Sequence, residues 1–133
     1  MNTYVAWKPF YSVGHPALDA QHKQIIGVIN DLYAAMSQGE ERAALESLLD
    51  RLVQYTKTHF AYEEQVMQQH DYPGLTHHKR LHDRLRQRTA DLRAHLGLVT
   101  GVDLLHFLKE WWLEHIQGQD KQYAPYLEVA AYS

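Results

Sequence analysis

Between its prolines and glycines the chain repeats apolar residues every three or four positions, the period of an amphipathic helix, and no stretch alternates as a strand would. Four helices are expected. The first runs from about Asp19 to Ser37, with Ile25, Ile26, Ile29, Leu32, Tyr33 and Met36 on one stripe and Gly39 as its stop. The second, from about Glu41 to Gln69, turns Leu45, Leu48, Leu49, Leu52, Tyr55 and Thr56 inward and is halted by Tyr72-Pro73-Gly74. The third starts after Thr76, with Thr76 as its cap, and carries Leu81, Leu85, Leu92 and Leu96 before Gly97. The fourth starts near Asp103 with Leu104, Leu105, Leu108, Trp111 and Trp112. Short connections make neighbouring helices antiparallel, so the expected fold is all-α, an up-down-up-down four-helix bundle. It forms one domain over 1–133: an aromatic and proline-rich arm (1–18) lying on the bundle, the bundle itself (19–117) and a C-terminal segment (118–133).

Composition narrows the chemistry. With 133 residues the chain can bury a core unaided, and with no cysteine it has no disulfide, thiolate zinc site, iron–sulfur cluster or thiol catalysis. Any metal must be held by nitrogen and oxygen. The start of the chain lacks a basic, then apolar, leader, and no apolar run approaches the ~20 residues a membrane span needs. The expectation is a cytoplasmic protein that is not integral to a membrane. A formal charge of −3 gives no reason to expect nucleic acid as a partner, and the basic run Lys79, Arg80, Arg84, Arg86, Arg88 and Arg93 reads as a solvated helix face.

Ten histidines change the picture. Residues four apart share a helix face, so His59 with Glu63 and His78 with His82 each extend an inner stripe. His77 is turned about 140° from His82 and faces elsewhere. His22 lies one turn before Ile25 and Ile26, and His115 follows Leu108 and Trp111 on their face. In an antiparallel bundle the start of helix one, the end of two, the start of three and the end of four share one end. Five imidazoles and the Glu63 carboxylate therefore converge in one core layer, where unpaired polar groups are costly and a metal centre accounts for them. Asp120, five residues past His115, would be turned away on a regular helix, although Gly118 permits a local distortion. Spacing alone leaves it equally a ligand or a solvated loop residue. Glu64 is turned roughly 100° from Glu63 and reads as solvated, while His15, His70, His77, His95 and His106 read as packing or surface residues. Trp111 and Trp112 are core residues within a turn of His115, and so candidate pocket walls.

Imidazole and carboxylate suit iron, zinc, copper or nickel, and ligand type does not choose among them. Ligand number points to two six-coordinate ions bridged by carboxylates rather than one tetrahedral zinc. Ferritin-like dimetal proteins would require paired Glu-x-x-His motifs, which are absent.

The stretches "DAQH" (19–22), "HFAYEE" (59–64), "YPGLTHHKRLH" (72–82) and "HIQGQD" (115–120) resemble the hemerythrins, in particular the single-domain bacterial ones, and the likeness spans nearly the whole chain. That resemblance implies a centre of two iron ions (Fe2+/Fe3+) with a bridging oxo or hydroxo group. His78, His82 and His115 would hold one iron and His22 and His59 the other. Glu63 and Asp120 would bridge them, which moves Asp120 from an open question to an assignment. It also implies reversible dioxygen binding for transport, storage or delivery to an oxygen-consuming enzyme, and no catalytic residues of an enzyme. Ile25, Phe60, Trp111, Leu113 and Ile116 would wall a dry oxygen pocket, Leu113 being carried over from the family pattern alone. The alternatives are an oxygen or redox sensor, a diiron oxidase or peroxidase, for which no proton donor stands out, and a metal-free helical interaction module.

Overall fold

The structure, a computed structural model, describes residues 5–127, so residues 1–4 of the arm and 128–133 of the C-terminal segment lie outside the described residues. Four helices follow in order: α1 (Pro16–Ser37), α2 (Glu41–Gln69), α3 (Leu75–Ala94) and α4 (Gly101–Glu110). The last continues without a break as a π-helix (Trp111–Gln119) and a 3-10 turn (Asp120–Gln122). No strand occurs among the described residues. Contacts of α1 with α2 and α4, and of α3 with α2 and the π-helix, close the four into a ring.

Helix ends depart from the sequence expectation for local reasons. α1 begins at Pro16 rather than Asp19, because proline suits the first helical position and the His15 side chain accepts the Leu18 N–H at 3.2 Å. Asp19 instead anchors the arm, accepting the Val13 N–H at 2.9 Å. α3 is not capped by Thr76, which lies inside its first turn. Gly74 occupies the cap position, and its carbonyl takes the His78 N–H. α4 starts two residues earlier than Asp103, behind a reciprocal Thr100–Asp103 capping box. Gly101 follows that cap because Glu41 accepts its N–H at 2.6 Å, leaving no room for a Cβ. Gly39, at φ +71, reverses the chain between α1 and α2.

The core divides along the bundle. The larger cluster, including Ile29, Leu32, Leu45, Leu49, Leu104 and Leu108, runs from the α1–α2 turn to Ile25, Phe60, Trp111 and Ile116. Val5, Trp7 and Tyr11 of the arm pack on it, and Asn30 exchanges two hydrogen bonds of 2.8 Å with the Val5 backbone. A smaller cluster of Val13, Leu18, Val66, Met67, Tyr123 and Leu127 closes the opposite end. Polar side chains fill the layer between the two.

Candidate metal centre

His22, His59, Glu63, His78, His82, His115 and Asp120 are all at most 3 % exposed. One ligand atom from each of Glu63, His78, His82, His115 and Asp120 lies within 4.8 Å of the others, and His22, His59 and Glu63 form a second such group. His77 is exposed, as its angle to His82 predicted.

Both carboxylates lie across the two groups. Glu63 Oε1 is 3.2 Å from His78 Nε2 and 2.8 Å from His82 Nε2, whereas Oε2 is 3.1 Å from His22 Nε2 and 3.3 Å from His59 Nε2. Asp120 repeats the division: Oδ1 is 2.8 Å from His78 Nε2 and 3.1 Å from His115 Nε2, while Oδ2 is 3.1 Å from His22 Nε2.

The backbone explains how Asp120 arrives there. Its N–H bonds to the His115 carbonyl five residues back, the i→i+5 pattern of a π-helix, so the wider turn returns residue 120 to the His115 face. Gly118 lies inside this segment, as the expected local distortion required. The π winding begins at Trp111, and a Cβ on Gly118 would find ordinary contact, 3.6 Å from the Leu113 carbonyl.

Outer partners fix the imidazoles. Nδ1 of His59, His82 and His115 lies 2.5, 2.7 and 2.8 Å from Gln21 Oε1, Glu64 Oε2 and Gln119 Oε1, each an acceptor for an Nδ1–H, and these contacts turn every Nε2 toward the cluster. Glu64 is therefore not the solvated residue its angle suggested. Its longer side chain swings from α2 to α3, where it is 17 % exposed. Tyr123, which sequence reasoning passed over, is fully buried and donates its hydroxyl to Glu63 Oε2 at 2.8 Å. Tyr55 stacks on His59 with centroids 4.7 Å apart. The spacing of Tyr55, four before His59, could have revealed it. Tyr123 carried no such signal.

Of the expected pocket walls, Ile25, Phe60, Trp111 and Ile116 are buried in the core cluster, and Phe60 stacks on His82 at 3.8 Å. Leu113 is not a wall. It is 64 % exposed and lines a surface groove with Val5, Tyr11, Lys109 and Trp112, because two residues amount to roughly half a helical turn from His115.

Electrostatics couple the layer. Burial opposes charge on His22 and His78, but the Asp120 and Glu63 carboxylates close beside them outweigh it and hold the two imidazoles up at about 10 and about 9. Burial pushes His59 down. Glu63 lies well below the usual carboxylate range despite its burial, through His59, His22 and His78. Asp120 also lies low, since His115 and His22 offset its burial and the Glu63 charge. Burial, Glu63 and Asp120 keep Tyr123 a neutral phenol, far above its ordinary value.

The donor set fits a cation better than it fits itself. Asp120 Oδ1 and Oδ2 and His115 Nε2 are buried without a properly directed hydrogen bond, although their separations are short. Their lone pairs meet in shared space, the arrangement a metal ion satisfies. Binding such an ion must release the protons held by His22 and His78.

Comparison with known proteins points the same way. The family model described as "Hemerythrin HHE cation binding domain" matches residues 13–127. The chain is similar to a bacteriohemerythrin of Stenotrophomonas maltophilia, 35 % identical over 122 residues, covering 90 % of this chain and 79 % of that protein. A bacteriohemerythrin of Methylococcus capsulatus is 36 % identical over 114 residues, covering 84 % and 86 % of the two chains. A crystal structure of a hemerythrin mutant superimposes with a TM-score of 0.81 at 31 % identity, covering 95 % of this chain and 98 % of the other.

Proposed function

Because this chain belongs to the hemerythrin family, we propose that it binds dioxygen reversibly at a two-iron centre, as a carrier, store or delivery protein. The observation that carries this reading is the division of Glu63 and Asp120, each with one oxygen toward the His78 side and the other toward His22. Both carboxylates would span two ions. His78, His82 and His115 would hold one ion, and His22 and His59 the other. The His22 and His59 side, with one imidazole fewer, would leave room for an incoming diatomic ligand. A pair of irons there would supply reversible dioxygen binding by passing between ferrous and ferric.

The residues around the centre would supply reversibility. Ile25, Phe60, Trp111 and Ile116 exclude water, which suppresses loss of reduced oxygen species. Gln21, Glu64 and Gln119 hold the imidazole rings in place, so the ligands would move little between the two oxidation states of bound iron. None of the described helices is long and apolar enough to cross a membrane. The receiving partner would be an oxygen-consuming enzyme.

An anaerobic optical titration tests the reading. The reduced protein should contain two irons per chain, gain a visible band in air and lose it under argon. Irreversible conversion to a ferric spectrum would overturn the carrier assignment. Absence of stoichiometric iron would overturn the centre itself.

A further inference from the structure

Tyr123 belongs to none of the ligand pairs, yet its hydroxyl touches Glu63 Oε2, the oxygen that faces His22 and His59. From there an unbroken line of oxidisable rings leaves the core. The Tyr123 and Tyr72 rings meet edge to face with centroids 6.2 Å apart, and Tyr72 meets Tyr126 in the same manner at 5.1 Å. Both separations lie within aromatic contact. Exposure rises along the line: Tyr123 is fully buried, Tyr72 is half-buried and Tyr126 is 40 % exposed. Gly74 leaves room for the Tyr72 ring, since a Cβ there would come within 2.7 Å of it.

The other aromatic line from the centre does not make this connection. Tyr55 stacks on His59 and reaches Trp111 at 6.0 Å, but Trp111 then meets Phe60 and Phe107, which are buried and not readily oxidised. The Tyr55 hydroxyl donates to the Gln21 carbonyl, a poor proton acceptor. The Tyr123 hydroxyl already donates to a carboxylate.

We propose that Tyr123, Tyr72 and Tyr126 form a relay carrying single electrons from the surface to the two-histidine side of the centre, through which the protein reduces hydrogen peroxide. This rests on the two-iron reading above and adds a second activity to it. In each transfer a tyrosine gives up one electron and its phenolic proton. Two transfers supply the two electrons and two protons that break the O–O bond of one hydrogen peroxide and leave two waters. An external one-electron reductant of the ascorbate class returns one electron and one proton to each tyrosine at Tyr126, where the ring is open to solvent.

The test uses the full iron-loaded chain, first shown to contain two irons and to give the reversible dioxygen band. The ferric protein is mixed with hydrogen peroxide and a nitroso spin trap, the adduct is mapped by peptide mass spectrometry, and a parallel frozen sample is examined by EPR. Tyr126 should carry the adduct. Tyr72→Phe, which keeps the ring but not the phenol, should lose it while retaining both irons and the dioxygen band, and Tyr126→Phe should move it to Tyr72. Equal labelling of Tyr126 in Tyr72→Phe or in iron-free protein, or no tyrosyl signal in two-iron protein, would overturn the relay. A chain that fails to take up two irons fails before peroxide is added, which identifies the metal reading as the fault, and the relay falls with it.

Discussion

Leu32, Leu45, Leu49, Leu104 and Leu108 fill one end of the bundle with no exposed surface, while a layer nearer the other end buries five imidazoles and two carboxylates just as completely. The same four helices build both layers. At the leucine end every contact lowers the free energy of the fold by removing apolar surface from water. At the histidine end, desolvating charged groups costs several kcal/mol per ion unless partners or a metal compensate. The apolar end supplies stability, and the polar end consumes part of it to hold a reactive arrangement ready.

Substitutions can break that contrast, and the largest expected effect is at the polar end. His82→Ala removes a fully buried donor and should abolish stoichiometric iron binding, whereas His77→Ala, five residues away and exposed, should keep both irons. Metal analysis of the two purified variants decides the matter, and equal loss would sink the assignment of the doublet. Next comes Leu49→Ala at the apolar end, expected to cost ~2–5 kcal/mol in denaturant unfolding while the folded fraction still loads with iron. A comparable loss of iron per folded chain would show that the two layers are not separable.

Smaller changes sharpen the comparison. Glu64→Gln keeps a hydrogen-bond acceptor for His82 Nδ1 but removes the charge, and it should weaken iron binding ~10–100-fold in a chelator competition. An unchanged affinity would return Glu64 to the surface role its helical angle suggested. The smallest effect belongs to Leu113→Ala. As an exposed residue off the site it should change stability by no more than about 0.5 kcal/mol and leave the dioxygen band and its decay unaltered. Faster decay would put this side chain back at the pocket.

The helices were legible because hydrophobic period is a local property. The whole expected stripe of α2 is buried, as are Ile25, Ile26, Ile29 and Leu32 of α1, whereas Tyr33 and Met36 near the end of α1 are only half-buried and Val28 joins the core; α2 spans Glu41–Gln69 as expected. Helix starts were less legible. His15 as a cap and Gly74 as a cap position depend on backbone geometry that a preference for serine or threonine does not reveal. Among the seven side chains gathered in the polar layer, six lie at helical spacings on inward faces. Asp120 does not, and spacing left it open until its likeness to a known pattern assigned it, because a π-helix leaves no periodic trace in residue type.

The sequence by itself determined which end of the bundle would be polar, since antiparallel order brings the two starts and two ends that carry His22, His59, His78, His82 and His115 to one level. Tertiary structure alone decided which carboxylate oxygen faces which imidazole group, that Glu64 reaches His82, that Tyr123 reaches Glu63 and that Leu113 faces away. The physical reason is range. A helical period relates residues within one helix to one another, but a contact between helices depends on their relative rotation and on how far a long side chain extends.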